Sequence, residues 1–107
     1  NSFSGRGLIL VIGCFKDKDY KDMLSILAPV AEHIICVSAP TKRGLDKEKL
    51  AFFARVSTSA KVSVSSLGRE CVDDILKYTA LDDVVVICGS LSILKPMREA
   101  ILSYGRE

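Results

Sequence analysis

Tryptophan is absent from this chain of 107 residues, histidine occurs once, and only three prolines and two methionines are present. Each scarcity closes off a class of function. One histidine, His33, stands at the start of an apolar run, so no Ser-His-Asp or Cys-His catalytic set is visible. The cysteines at 14, 36, 71 and 88 form no C-x-x-C pair, and His33 is three residues from Cys36, so the clustered ligands of a zinc site are missing. Cys36 and Cys88 lie inside apolar runs, where a reduced thiol acts as a small hydrophobe. A disulfide framework is not expected, and a reducing, cytoplasmic location is. No apolar run reaches the roughly 18–20 residues of a membrane span. Lysine and arginine number 15 against 13 acidic residues, scattered rather than blocked, so the +2 net charge offers no nucleic-acid face. No phosphate loop of the form G-x-x-x-x-G-K-S/T occurs. The opening "NSFSGRG" has neither a signal-peptide layout nor an initiating methionine, and the chain is expected to be a piece of something longer.

What is present reads as one globular domain, with 49% hydrophobic and 26% charged residues. Four apolar runs rich in β-branched residues recur: "LILVIG" (8–13), "HIICVSA" (33–39), "KVSVS" (61–65) and "DVVVICG" (83–89). Helical spacing fills the gaps. Met23, Leu27 and Val30 form one stripe, with Asp19 as the expected cap. Leu50, Phe53 and Ala54 share a face behind Asp46, another expected cap. Val72, Ile75, Leu76 and Thr79 mark a third helix behind Ser65 and Ser66. The fourth starts near Ser92 or later, with Pro96 favouring a first-turn position, and runs to Tyr104 with Gly105 as its stop. The order β-α-β-α-β-α-β-α predicts an α/β, Rossmann-like three-layer domain with a mainly parallel sheet of about four strands.

Ligands of such sheets bind outside the carboxyl ends of the strands. That selects "GCFKDKD", "SAPTKRG", the turn at 65–68 and "GSLS". At Gly13 and Gly89 an apolar run ends in glycine and turns toward a helix, which lets an anionic group approach free backbone amides. The same residues also have plainer roles. Gly13 and Gly89 can simply end strands, Asp17 and Asp19 can cap a helix, and Lys16, Lys18 and Arg43 can be solvated surface. Ser90 can start the last helix, and His33 reads as a surface or strand-edge residue. By itself this pattern names no reaction.

Three stretches say more. Gly13, Asp17-Lys18-Asp19, Tyr20, Met23, Leu24, Leu27, Pro29 and Ala31 in "VIGCFKDKDYKDML…", then "SAPTKRGLDKEKLA", then "DDVVVICGSLSIL" follow one another in order over nearly the whole chain. Together they resemble the C-terminal domain of the folylpolyglutamate synthase/dihydrofolate synthase family, within the Mur ligase superfamily. The resemblance implies a domain of an ATP-dependent ligase that joins glutamate to a folate (tetrahydrofolate or dihydropteroate) through an acyl phosphate. It also implies that the folate pocket, the phosphate loop and most Mg2+ ligands lie on other domains. This domain packs on the central ATPase domain, helps hold the incoming glutamate, and on its own is inactive. In that role Lys18 neutralises a glutamate carboxylate and Arg43 grips one bidentately. Ser90 and the amides after Gly89 donate to the same groups, and Asp17 orients Lys18 or the glutamate amine.

Departures accompany the likeness. The family's Asp-Gly-Ala-His-Asn-Pro motif, with its contacts to ATP, is absent, so the domain is expected to lack its first strand and helix and to expose a sheet edge that invites pairing. The family's Arg-Ala is Arg43-Gly44 here, and Ser92 stands where an aromatic follows Gly-Ser-Leu. Two alternatives stay open: another Mur-type amide ligase, or a stand-alone α/β binding module. A phospho-receiver fits poorly, because the strands end in Gly13, Ala39, Ser65 and Gly89 rather than in aspartate.

Overall fold

Four parallel strands lie in the order β3-β2-β1-β4 in a computed structural model that describes residues 7–16, 19–79, 84–89 and 91–104. The strands are β1 (Leu8–Gly13), β2 (His33–Cys36), β3 (Lys61–Val64) and β4 (Val84–Gly89). The helices are α1 (Tyr20–Leu27), α2 (Lys47–Ser57), α3 (Arg69–Tyr78) and α4 (Leu91–Ser103). The expected α/β alternation and parallel sheet are both present.

Every residue of β1 is buried, as expected of a central strand whose two faces are both covered. Leu8, Leu10, Ile12 and Cys14 pack with Tyr20, Leu24 and Ala28 and with Leu50, Ala51 and Ala54, which places α1 and α2 on one face. Ile9 and Val11 pack with Cys71, Val72 and Ile75 and with Ile93 and Met97, which places α3 and α4 on the other. The result is three layers. Trimming a fully buried residue such as Leu10 or Ile12 to Ala costs about 2–5 kcal/mol, because the sheet cannot collapse into the space left behind. Among the described residues no helix is long and apolar enough to cross a membrane.

Several local expectations are corrected. The deepest stripe of α1 is Tyr20, Leu24 and Ala28, with Met23, Leu27 and Val30 only partly buried at its flank. Pro29 lies in the 3-10 turn Ala28–Val30 that follows the helix. Asp19 occupies the N-cap position of α1, but its side chain makes no capping bond. It shares a hydrogen bond with Asp22 instead, which raises the Asp22 carboxyl above its ordinary value. Asp46 caps α2 as expected, accepting from the Glu48 amide at 3.2 Å. On α3, Val72 and Ile75 are buried while Leu76 is 53% exposed, because the stripe turns away from the sheet there. Pro96 lies inside α4 rather than in its first turn. Ile93 and Met97, four residues apart and fully buried, fix the helix from its start and offset the lost backbone bond. Tyr104 follows the helix as a turn, its amide bonding to the Ile101 carbonyl at 3.3 Å, and Gly105 lies outside the described residues.

Candidate functional site: the carboxyl edge of the sheet

From β1 the chain winds outward through β2 to β3, then returns to lay β4 on the opposite side of β1. The winding reverses between β1 and β4, the position where doubly wound sheets admit ligands. The two candidate glycines meet there, with Gly13 opposite Gly89 in the register. A Cβ on Gly89 would fall 2.0 Å from the Gly13 carbonyl oxygen, and Gly89 has φ +115°, a conformation few other residues adopt. A Cβ on Gly13 would fall 2.8 Å from the Val37 carbonyl oxygen. The floor of this edge is therefore bare backbone. Helix α4 begins at Leu91, so the free amides of its first turn belong to the same edge.

The second wall is built from two loops zipped together. Phe15, after β1, forms an antiparallel bridge with Gly44, after β2. The Lys16 amide donates to the Arg43 carbonyl at 2.7 Å, and the Leu45 amide to the Cys14 carbonyl at 2.8 Å. Gly44 is required by this closeness, because a Cβ there would meet the Ala39 carbonyl oxygen at 2.3 Å. The Arg43-Gly44 departure thus comes with a tight loop that has no room for alanine. Arg43 is exposed, and its guanidinium carbon stands 4.8 Å from the centre of the Phe15 ring. The fold therefore brings Gly13, Gly89 and Arg43 to one end of the sheet. Asp17, Lys18 and Ser90 lie outside the described residues.

Sequence reasoning passed over Phe15 and Lys47. The Lys47 amide donates to the Ser38 hydroxyl at 2.9 Å, and its ammonium donates to the Ser65 carbonyl at 3.2 Å and the Ser66 hydroxyl at 3.5 Å. Ser65 in turn donates to the Asp74 carboxylate, and Glu70 accepts from the Ser66 amide at 3.0 Å. A cation is so fixed at the ends of β2 and β3 within an acidic, hydrogen-bonded frame. The network joins the loop after β2, the start of α2, the turn after β3 and helix α3, and no local spacing announces it.

The opposite end of the sheet carries a cavity of about 340 Å³, lined in part by Glu32, His33, Lys61 and Tyr78. His33 corrects its expected surface position. It is 6% exposed, stacks on Tyr78 with ring centres 4.1 Å apart, and is hydrogen-bonded to the Ser63 hydroxyl at 2.9 Å. As the first residue of β2 it is flanked by strands on both sides, which buries it. Desolvation, then the nearby Lys61 charge, lowers its pKa.

All four cysteines are free thiols. Burial pushes Cys14 and Cys71 to about 11 and Cys36 to about 12, so they stay protonated and weakly nucleophilic at neutral pH. Among the described residues no group of three or more His, Cys, Asp or Glu side chains could hold a metal ion. What the edge offers is backbone amides and a guanidinium, a donor set suited to a carboxylate.

Comparison with known proteins agrees with this fold. The Escherichia coli FolC in complex with ADP, without folate substrate, superposes with a TM-score of 0.78 at 23% identity, over 96% of this chain and 24% of that one. A folylpolyglutamate synthase from Thermotoga maritima gives 0.70 at 30% identity, over 96% and 23%. The Mycobacterium tuberculosis folylpolyglutamate synthase complexed with ADP gives 0.69 at 23%, over 95% and 24%. The chain thus spans about a quarter of the length of these structures. No curated protein sequence matches it. The family model for the Mur ligase, glutamate ligase domain, matches residues 1–91, and the chain belongs to that family.

Proposed function

We propose that this chain is the C-terminal domain of a cytoplasmic, ATP-dependent ligase that adds glutamate to a folate, and that its sheet edge holds the incoming glutamate. The observation that carries this reading is the pairing of Gly13 with Gly89 at the reversal point of the sheet, with Arg43 on the loop zipped to the one that follows β1, in a member of the glutamate ligase family. Glutamate brings two carboxylates besides its attacking amine. Arg43 presents a planar fork that matches one of them, and the amides beyond Gly89 suit the other. Lys18, Ser90 and Asp17 join the site on the strength of the motif likeness alone. In the reaction, ATP is a substrate that converts the folate carboxylate to an acyl phosphate. The glutamate amine attacks that carbonyl carbon, phosphate leaves, an amide bond forms and the amine loses a proton. ATP and most of the magnesium ligands belong mainly to domains beyond this chain, and on its own this domain is inactive.

The test is made on the full-length protein that contains this domain. It should incorporate glutamate into tetrahydrofolate or dihydropteroate in the presence of ATP, and Arg43→Ala should raise the KM for glutamate about tenfold or more, the loss of one charge-assisted pair. Incorporation of another amino acid onto a non-folate acceptor would favour a different Mur-type ligase. Absence of a Gly-Lys-Ser/Thr loop and a His-Asn-Pro motif from the preceding part of the parent reading frame would overturn the proposal.

A further inference from the structure

We propose that Phe15 is the positioning residue for Arg43, an inference that rests on the glutamate-holding role given to Arg43 above. A free arginine on a loop has several rotatable bonds, and a carboxylate binding to it must immobilise them. Here three features restrict it before any ligand arrives. The Phe15–Gly44 bridge sets the backbone on either side of the pair. The Lys16 amide, one residue beyond Phe15, anchors the Arg43 carbonyl at 2.7 Å. The Phe15 ring, partly buried and packed against the core on the α3/α4 face, stands 4.8 Å from the guanidinium carbon. A ring anchored in the core, with the guanidinium over its face, attracts that cation through its quadrupole. Phe15 touches no reacting atom. It acts by lowering the ordering cost of the Arg43 guanidinium at the carboxyl end of the sheet.

The full-length ligase is assayed with glutamate as the varied substrate, in the wild type and in Phe15→Leu, Phe15→Tyr, Arg43→Ala and the Phe15→Leu/Arg43→Ala double variant. Phe15→Leu keeps an apolar side chain of similar size and removes the ring. It should raise the KM for glutamate about twofold to fivefold, the range of an exposed cation–π pair, with kcat at saturating glutamate unchanged. Phe15→Tyr should keep wild-type KM. In the Arg43→Ala background the loss of the ring should add nothing, since the two residues act as one unit. A Phe15→Leu effect that persists undiminished without Arg43, or falls on kcat alone, overturns the positioning role while leaving the glutamate site intact. An Arg43→Ala variant with unchanged glutamate KM removes the site and the positioning role together. Urea midpoints of the variants separate misfolding from either result, because Phe15→Tyr and Arg43→Ala retain the apolar packing at position 15.

Discussion

Single residues set the shape of both ends of the sheet. At the carboxyl end, Gly68 and Gly89 both have positive φ, yet they differ in surroundings, since nothing lies within 4 Å of a Cβ on Gly68 while one on Gly89 runs into Gly13. Gly68→Ala should therefore cost only conformational strain, about 1–3 kcal/mol. Gly89→Ala must also push apart a pair of hydrogen-bonded strands, and its loss should exceed that of Gly68→Ala, as read from urea midpoints of the two variants. At the amino end, His33 supplies a pH dependence. Its folded pKa lies below the ordinary value of 6.5, so the folded state favours the neutral ring. Above that pH both folded and unfolded chains hold it neutral and nothing is gained or lost. As pH falls through 6.5 the unfolded chain takes up a proton that the folded chain refuses, and stability declines until the folded pKa is passed. Thermal midpoints should drop from pH 7 toward pH 5, with a shallower slope in His33→Gln. Its position was mistaken in the sequence because one His before an apolar run resembles a strand edge. Only the pairing of β2 on both sides encloses it.

At the scale of elements, the two aspartate caps give a matched comparison. Asp46 accepts from the Glu48 amide, and Asp46→Ala should cost about 1 kcal/mol. Asp19 makes no such bond, and Asp19→Ala should stay within about 0.5 kcal/mol of wild type in the same denaturation experiment. In sequence the two look alike, each an aspartate before an apolar stripe. Local pattern located all four strands and all four helices, because continuous β-branched runs and 3.6-residue stripes carry those signals. It misjudged which residues face inward on α1 and α3 by a fraction of a turn, because a helix's rotation is fixed by the sheet beneath it. The site was legible where glycine ends a strand. It was illegible at Phe15 and Lys47, whose partners are contributed by other loops.

In the whole molecule, the strands differ in protection. β1 is wholly buried and β2 lies between β1 and β3, whereas β3 and β4 form the rims and are partly exposed. Native-state hydrogen exchange should be slowest at Leu10 to Ile12 and Ile34 to Cys36, and clearly faster in Val62 to Val64 and Val85 to Cys88. Uniform protection across the sheet would contradict a centre-to-rim gradient. The strand order also has a consequence during synthesis. Of the four described strands β1 is made first, and β2 soon follows to pair with one side of it, but the other side waits for β4, with Leu8 opposite Val84. A ribosome that has delivered three strands has therefore exposed a half-built sheet whose innermost strand is still an edge, open to a neighbouring nascent chain. The Gly13–Gly89 floor comes into being only when β4 arrives, so a chain that stops short of it has neither β1 paired on both sides nor the start of a ligand site.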